Sequence, residues 1–216
     1  MTRQFHEELE QLKKRTHQMG VLAKQLLLDG VESFAKIDVG LADRVIKQDD
    51  QINRMDVEIE RDTLDLLARN QPMAQDLRAL GATLKIITYL DRIGRYGRDI
   101  ATAAKALEGK EHVHKLVTLP HMAELAAKML QESIDAYLRR DANLAKGVPK
   151  QDDLVDALNE QTFRECITFM VEDPRTIGVC AQYILVSRHL ERAADNANKI
   201  AEKTLFMVTG ERRLAL

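Results

Sequence analysis

LERAADNANKIA, residues 190–201, places Glu191 and Asp195 one helical turn apart inside a segment that otherwise reads as packed helix. The same pattern stands earlier in the chain as LDRIGRYGRDIA, residues 90–101. A second pair of stretches repeats as well, VIKQDDQINRMDVEI at 45–59 and VPKQDDLVDALNEQT at 148–162. Gln48 aligns with Gln151 and Leu90 with Leu190, so the second copy is shorter between its two motifs. The missing residues fall at the connections around Pro72 and Pro174, where loops tolerate deletion. Two motifs repeated in the same order make each half one copy of a common unit.

Outward from these motifs, apolar residues recur at spacings of three and four and nowhere alternate with the two-residue period of a strand. The spacing predicts six helices, over 5–35, 39–69, 74–108, 119–141, 143–171 and 175–208. Pro72, Pro120 and Pro174 each precede a long periodic stretch, as expected of proline near a helix start. Pro149 falls inside the fifth of these helices, in KGVPKQDD, and predicts a kink or break. Helices of roughly thirty residues run about 45 Å at about 1.5 Å per residue. The expected architecture is therefore all-α and elongated: two tandem pseudo-symmetric three-helix bundles, residues 5–108 and 119–208. The polar stretch EGKEHVHK at 108–115 joins them.

Composition removes several classes of function. With 45% hydrophobic residues among 216, the chain can bury a sizeable core. A formal net charge of −2, no Trp and no basic run interleaved with aromatics argue against nucleic acid as a partner. The amino-terminal MTRQFHEELEQLKK has no apolar signal region, and no apolar run approaches the ~18 residues of a membrane span. A cytoplasmic chain with at most peripheral membrane association is expected. Cys166 and Cys180 sit among apolar neighbours without a CxxC spacing and read as reduced core thiols.

Acids then recur where packing residues belong. Stepping by four and three along the last helix gives Cys180, Ile184, Ser187, Glu191, Ala194 and Asn198; along the second it gives Val45, Asp49, Ile52, Asp56 and Ile59. The third gives Leu80, Leu84, Ile87 and Asp91. A buried ionised carboxylate needs a cation, a hydrogen-bond network or water. Asp152 with Asp156, and Glu191 with Asp195, each place two carboxylates on one helix face, and two such helices side by side converge four. Oxygen-rich sets of this kind suit magnesium, manganese or calcium, and iron or zinc also accept them. The plain reading is a solvated edge paired with Arg192, Lys199 or Lys150. Repetition at matching places in both halves is what lifts the metal reading level with it.

The duplicated D/E-x-x-x-D pairs, together with NQPMAQDLRALGATLKIITYLDRIGRYGRDIA at 70–101, resemble the PhoU family of phosphate-transport regulatory proteins over about residues 5–208. The most specific piece is the run Gln71-Pro72, Asp76-Leu77-Arg78 and Leu90-Asp91-Arg92-Ile93-Gly94. The resemblance implies two similar three-helix bundles whose acidic motifs, in some members, hold iron or zinc. It also implies a homodimeric adaptor that represses the phosphate-starvation response and restrains phosphate uptake, through the transporter ATPase subunit and a sensor histidine kinase. On the family pattern the metal residues are Asp152, Asp156, Glu191 and Asp195, with manganese or magnesium as alternatives. The first half departs from the pattern: Asp49 is followed by Asn53, and Asp91 by Arg95, a permanent cation where the family has an acid. Asp49, Asn53, Asp91 and Asp99 thus form a weaker set, and Arg95 is expected to neutralise Asp91 without metal.

No nucleophile elbow, phosphate loop or Cys/His pairing occurs, so catalysis is not expected. A ferritin-type site needs two inward Glu-x-x-His motifs. The single match, Glu111-x-x-His114, lies in the connector and reads as a chance match in a solvated linker, with His112 and His114 as adventitious ligands at most. His189 reads as a surface residue, or as one lying behind the Glu191 pair. Two functions remain: a regulatory adaptor presenting long helical faces, and a carboxylate bundle serving as a metal store or metal-dependent enzyme.

Overall fold

A computed structural model describes residues 3–211 of the chain. Among these residues seven α-helices follow one another: α1 (Arg3–Lys36), α2 (Val39–Asn70), α3 (Ala74–Lys105), α4 (Thr118–Arg139), α5 (Ala142–Gly147), α6 (Asp152–Glu172) and α7 (Ile177–Thr209). Short 3₁₀ turns at Val148–Gln151 and Pro174–Thr176 lead into α6 and α7. No strand occurs among the described residues. Helices α1, α2 and α3 pack on one another as the first bundle, and α4, α6 and α7 form the second. The bundles meet where α1 lies on α4 and α3 on α7.

The helix ends follow local chemistry. Asp38 caps α2 by accepting from the Leu41 amide at 2.9 Å, and Asp141 caps α5 by accepting from Asn143 and Leu144. Left-handed residues Gln71, Arg140 and Gly210 close α2, α4 and α7. At Pro149 the expected break occurs, because the proline ring has no N–H to give an i−4 carbonyl. The helix expected over 143–171 is α5, a 3₁₀ turn and α6 in succession. Helix α3 ends three residues before the expected 108, where the chain turns through Glu108 and Gly109.

Two contacts fix how the layers seat. Gly30 of α1 and Gly97 of α3 sit at a crossing where the backbones nearly touch: a Cβ on Gly97 would lie 2.6 Å from the Leu26 carbonyl oxygen. Only glycine permits that approach. Between bundles, buried Tyr137 of α4 meets the Thr83 hydroxyl of α3; within the second bundle, Ser133 of α4 donates to the Ala197 carbonyl of α7 at 2.8 Å. Burial pushes the Tyr137 hydroxyl up to about 12. Cys166 and Cys180 are buried and unbridged, and burial with Cys180 alongside pushes the Cys166 thiol up to about 12.

The connector corrects one expectation. Residues 108–111 and Lys115 are exposed, as a solvated linker would be, but His112 and His114 between them are docked. His112 lies between the Tyr183 hydroxyl, 2.9 Å from Nδ1, and the Phe34 and Ala35 carbonyls, each 3.1 Å from Nε2. Tyr183 in turn accepts from the Val113 amide, and the His114 ring packs on Phe169 at 5.0 Å. The reason is polar satisfaction at the end of α1: the Phe34 carbonyl accepts from the Ile37 amide at 3.3 Å, and His112 reaches both it and the Ala35 carbonyl. Among the described residues no helix is long and apolar enough to cross a membrane.

Candidate functional site

The α6–α7 pairing brings the second-half acids to one face. Asp152 and Asp156 stand on the first turns of α6, and Glu191 and Asp195 on the middle of α7. Their fields overlap. Asp152 is pushed up to about 6, first by burial, then by Asp156, Asp195 and Asp153, against a hydrogen bond from Asn198. Burial and Asp195 raise Asp156. Glu191 is raised by burial and then by Asp195, with Arg188 opposing. Glu191 Oε2 is buried without a hydrogen-bond partner. Helix α6 begins at Asp152, whose carboxylate thus meets a favourable helix terminus, yet burial and like charges win.

The matching face between α2 and α3 is neutralised from within. Asp49 is 3% exposed, and Arg98 Nη1 reaches its Oδ2 at 3.1 Å. Arg98 also grips Asp99 at 2.9 Å, and Arg95 holds Asp91 at 2.9 Å. Asn53 turns its amide nitrogen to the Asp49 backbone carbonyl at 3.2 Å. Burial nonetheless raises Asp49, with Arg98 pulling the other way. Asp56, on the same face, is raised by burial and by Asp91.

The spacing therefore places Asp152, Asp156, Glu191 and Asp195 together, and Arg95 on Asp91. Arg98 was missed, although it lies seven residues after Asp91 and three after Arg95, on the same stripe. Asn198, one turn beyond Asp195 on α7, was missed as the donor to Asp152. His189 is half-buried rather than on the surface. Its ring stacks on Tyr96 of α3 at 5.7 Å, and burial lowers its pKa.

The second face has the donor chemistry for a hard cation: oxygen ligands that repel one another and one orphaned carboxylate oxygen. Among the described residues no three His, Cys, Asp or Glu side chains converge closely enough to clasp one ion. The first face also has orphaned carboxylate oxygens, Asp49 Oδ1 and Asp91 Oδ1, but it is less suited because two guanidinium groups already answer its charge.

Arg98 supplies a direct test. Arg98→Ala leaves Asp49 buried without its cation and is expected to destabilise the fold by about 2 kcal/mol, short of the largest buried-pair losses because the arginine is itself 37% exposed. In an Asp49→Asn background the same change is expected to cost much less. Chemical denaturation of the four proteins in a double-mutant cycle measures the coupling; equal losses in both backgrounds would remove the pair from the account.

The model of the PhoU domain matches residues 16–104 and 119–204. A Clostridium acetobutylicum protein named phosphate-specific transport system accessory protein PhoU homolog is 36% identical over 98% of this chain and 97% of its own. A Pseudomonas aeruginosa protein of the same name is 37% identical over 97% of this chain and 87% of its own. The crystal structure of PhoU from Pseudomonas aeruginosa superimposes with a TM-score of 0.92 at 38% identity, over 96% of this chain and all of that one. That of the phosphate transport system regulatory protein PhoU from Streptococcus pneumoniae reaches 0.89 at 27%, over 96% of this chain and 98% of that one. Both halves are matched separately, the relatives are covered nearly end to end, and the chain belongs to the PhoU family.

Proposed function

We propose that this protein is a regulatory adaptor of phosphate homeostasis: an accessory protein of a phosphate transport system that restrains uptake and represses the phosphate-starvation response. One observation carries the reading, the near full-length likeness to proteins named as phosphate transport accessory proteins. It acts in the cytoplasm, as a homodimer, by contact with the transporter ATPase subunit and a sensor histidine kinase. Long helical faces without a catalytic constellation suit such work. Exposed apolar side chains on α6, including Phe163, Ile167 and Val171, are available for partner contact. Asp152, Asp156, Glu191 and Asp195 would hold iron or zinc, or else manganese or magnesium, and the ion would offset the repulsion that raises their pKa values. That charge relief is all the group is asked to supply here.

Deleting the gene is expected to raise phosphate uptake and to switch on starvation genes in phosphate-rich medium. Affinity capture with the intact protein, in rich and starved cells, is expected to recover the ATPase subunit and the kinase. Unchanged phosphate responses in the deletion strain would remove the adaptor reading. The second reading, a metal store or metal-dependent enzyme, draws on the orphaned Glu191 oxygen and the repelling carboxylates. Metal-dependent turnover of dioxygen or iron by purified protein would favour it.

A further inference from the structure

A cavity of about 690 Å³ opens between the first turns of α3, the last turns of α7, and α5, and none of the acids of either face lines it. Its volume lies within the roughly 300–1,000 Å³ of small-ligand sites. The floor is apolar, built from Leu77, Leu205 and Phe206. Around it stand four cations, Arg78, Lys85, Lys146 and Lys203, against two acids, Glu202 and Glu211. In a chain of net charge −2 this is a local reversal of sign. None of the four cations forms an ion pair among the described residues. Arg78 spends one nitrogen on the α7 terminus, donating from Nε to the Met207 carbonyl at 3.4 Å.

Gly81 lies within α3 and lines the cavity. A Cβ added there would meet nothing within 4 Å, so the α3 backbone is open on this wall and a larger side chain at this position would enter the cavity.

We propose that this cavity is a binding site for a small amphiphilic anion: a phosphate, carboxylate or sulfonate group gripped by the cationic rim, with an apolar or aromatic body on the Leu77, Leu205 and Phe206 floor. The lysine stems extend the apolar surface while their ammonium groups focus negative charge over it. The site shares none of the acids of either face and does not rest on the adaptor reading. It also incorporates Leu77 and Arg78 of the specific NQPMAQDLR stretch.

The probe is 8-anilino-1-naphthalenesulfonate, titrated by fluorescence against the full chain. One-to-one binding is expected, with affinity falling at least about tenfold in Gly81→Trp, which fills the open space, and in Lys85→Glu/Lys146→Glu, which reverses the rim. Gly178→Trp is the control, since Gly178 is a helical glycine with equally open surroundings but outside the cavity, and its binding is expected to be unchanged. Circular dichroism confirms that each variant is folded. Displacement by adenosine monophosphate assigns a nucleotide, displacement by oleate an aliphatic anion; either supports the proposal. Wild-type affinity in both cavity variants, or displacement by inorganic phosphate but by neither amphiphile, would overturn it.

Discussion

Gly97→Ala is expected to cost about 3 kcal/mol of stability, the upper part of the range for overpacking, while Gly81→Ala is expected to gain about 0.5–1 kcal/mol. The two changes add the same methyl group to the same helix. At Gly97 the new Cβ would lie 2.6 Å from the Leu26 carbonyl oxygen and 2.9 Å from the Leu27 amide nitrogen, and Gly30 faces the Gly97 carbonyl just as closely. Those neighbours are backbone, so no rotamer change relieves the contact. Helices α1 and α3 must separate, and the apolar layer that includes Leu26, Leu27 and Ile93 separates with them. At Gly81 the methyl enters open space and only the propensity of alanine counts. For a chain of this length about 3 kcal/mol corresponds to roughly 6–12 °C in Tm. Thermal unfolding of both variants beside the wild type decides the matter. A Gly97→Ala protein with wild-type Tm would mean that the α1–α3 crossing is looser than the structure has it.

That contrast also marks where sequence reading stops. The helices, the Pro149 break and the twofold repeat were legible because each rests on local spacing: apolar residues three and four apart, a ring without an N–H, two motifs in one order. Gly97 and Gly81 look alike in the chain and differ only in what another helix places opposite them. The same holds for charge. Arg95 on Asp91 was readable as an i, i+4 pair within α3, but Arg98 on Asp49 crosses from α3 to α2 and depends on how the two helices are rotated. His112 was misread for a related reason. Its neighbours in sequence are polar, and its partners, Phe34 and Tyr183, lie about seventy residues away on either side. The amphiphile cavity was invisible altogether, since its walls come from three helices whose meeting only tertiary structure defines.

At the acidic faces, Glu191→Gln/Asp195→Asn is expected to abolish metal uptake, whereas Asp49→Asn/Asp91→Asn is expected to leave most of it. The asymmetry follows from charge. In the second half, four carboxylates share a face, none of them in an ion pair among the described residues, and Asp152 is raised to about 6. In the first, Arg95 and Arg98 already hold Asp91 and Asp49. Asp152 further fixes the sign of a pH effect. Its folded pKa lies above the 3.8 of a free aspartate, so the folded state binds the extra proton. The stability contributed by that proton is complete below about pH 4 and is lost as the pH rises through about 6. Metal-free wild type should therefore melt at lower temperature at pH 7 than at pH 5, from this group, and Glu191→Gln/Asp195→Asn should reduce the difference by removing Asp195, one of the charges that oppose ionisation of Asp152, while the larger effect of burial remains. A divalent or trivalent cation at pH 7 supplies the compensation that the proton gives at pH 5. It should raise the Tm of the wild type and of the first-half variant, and leave the second-half variant unmoved. Metal analysis alongside the melts separates the outcomes. Loss of metal from the first-half variant alone would reverse the assignment, and a wild type that takes up no metal would make both faces structural charge networks.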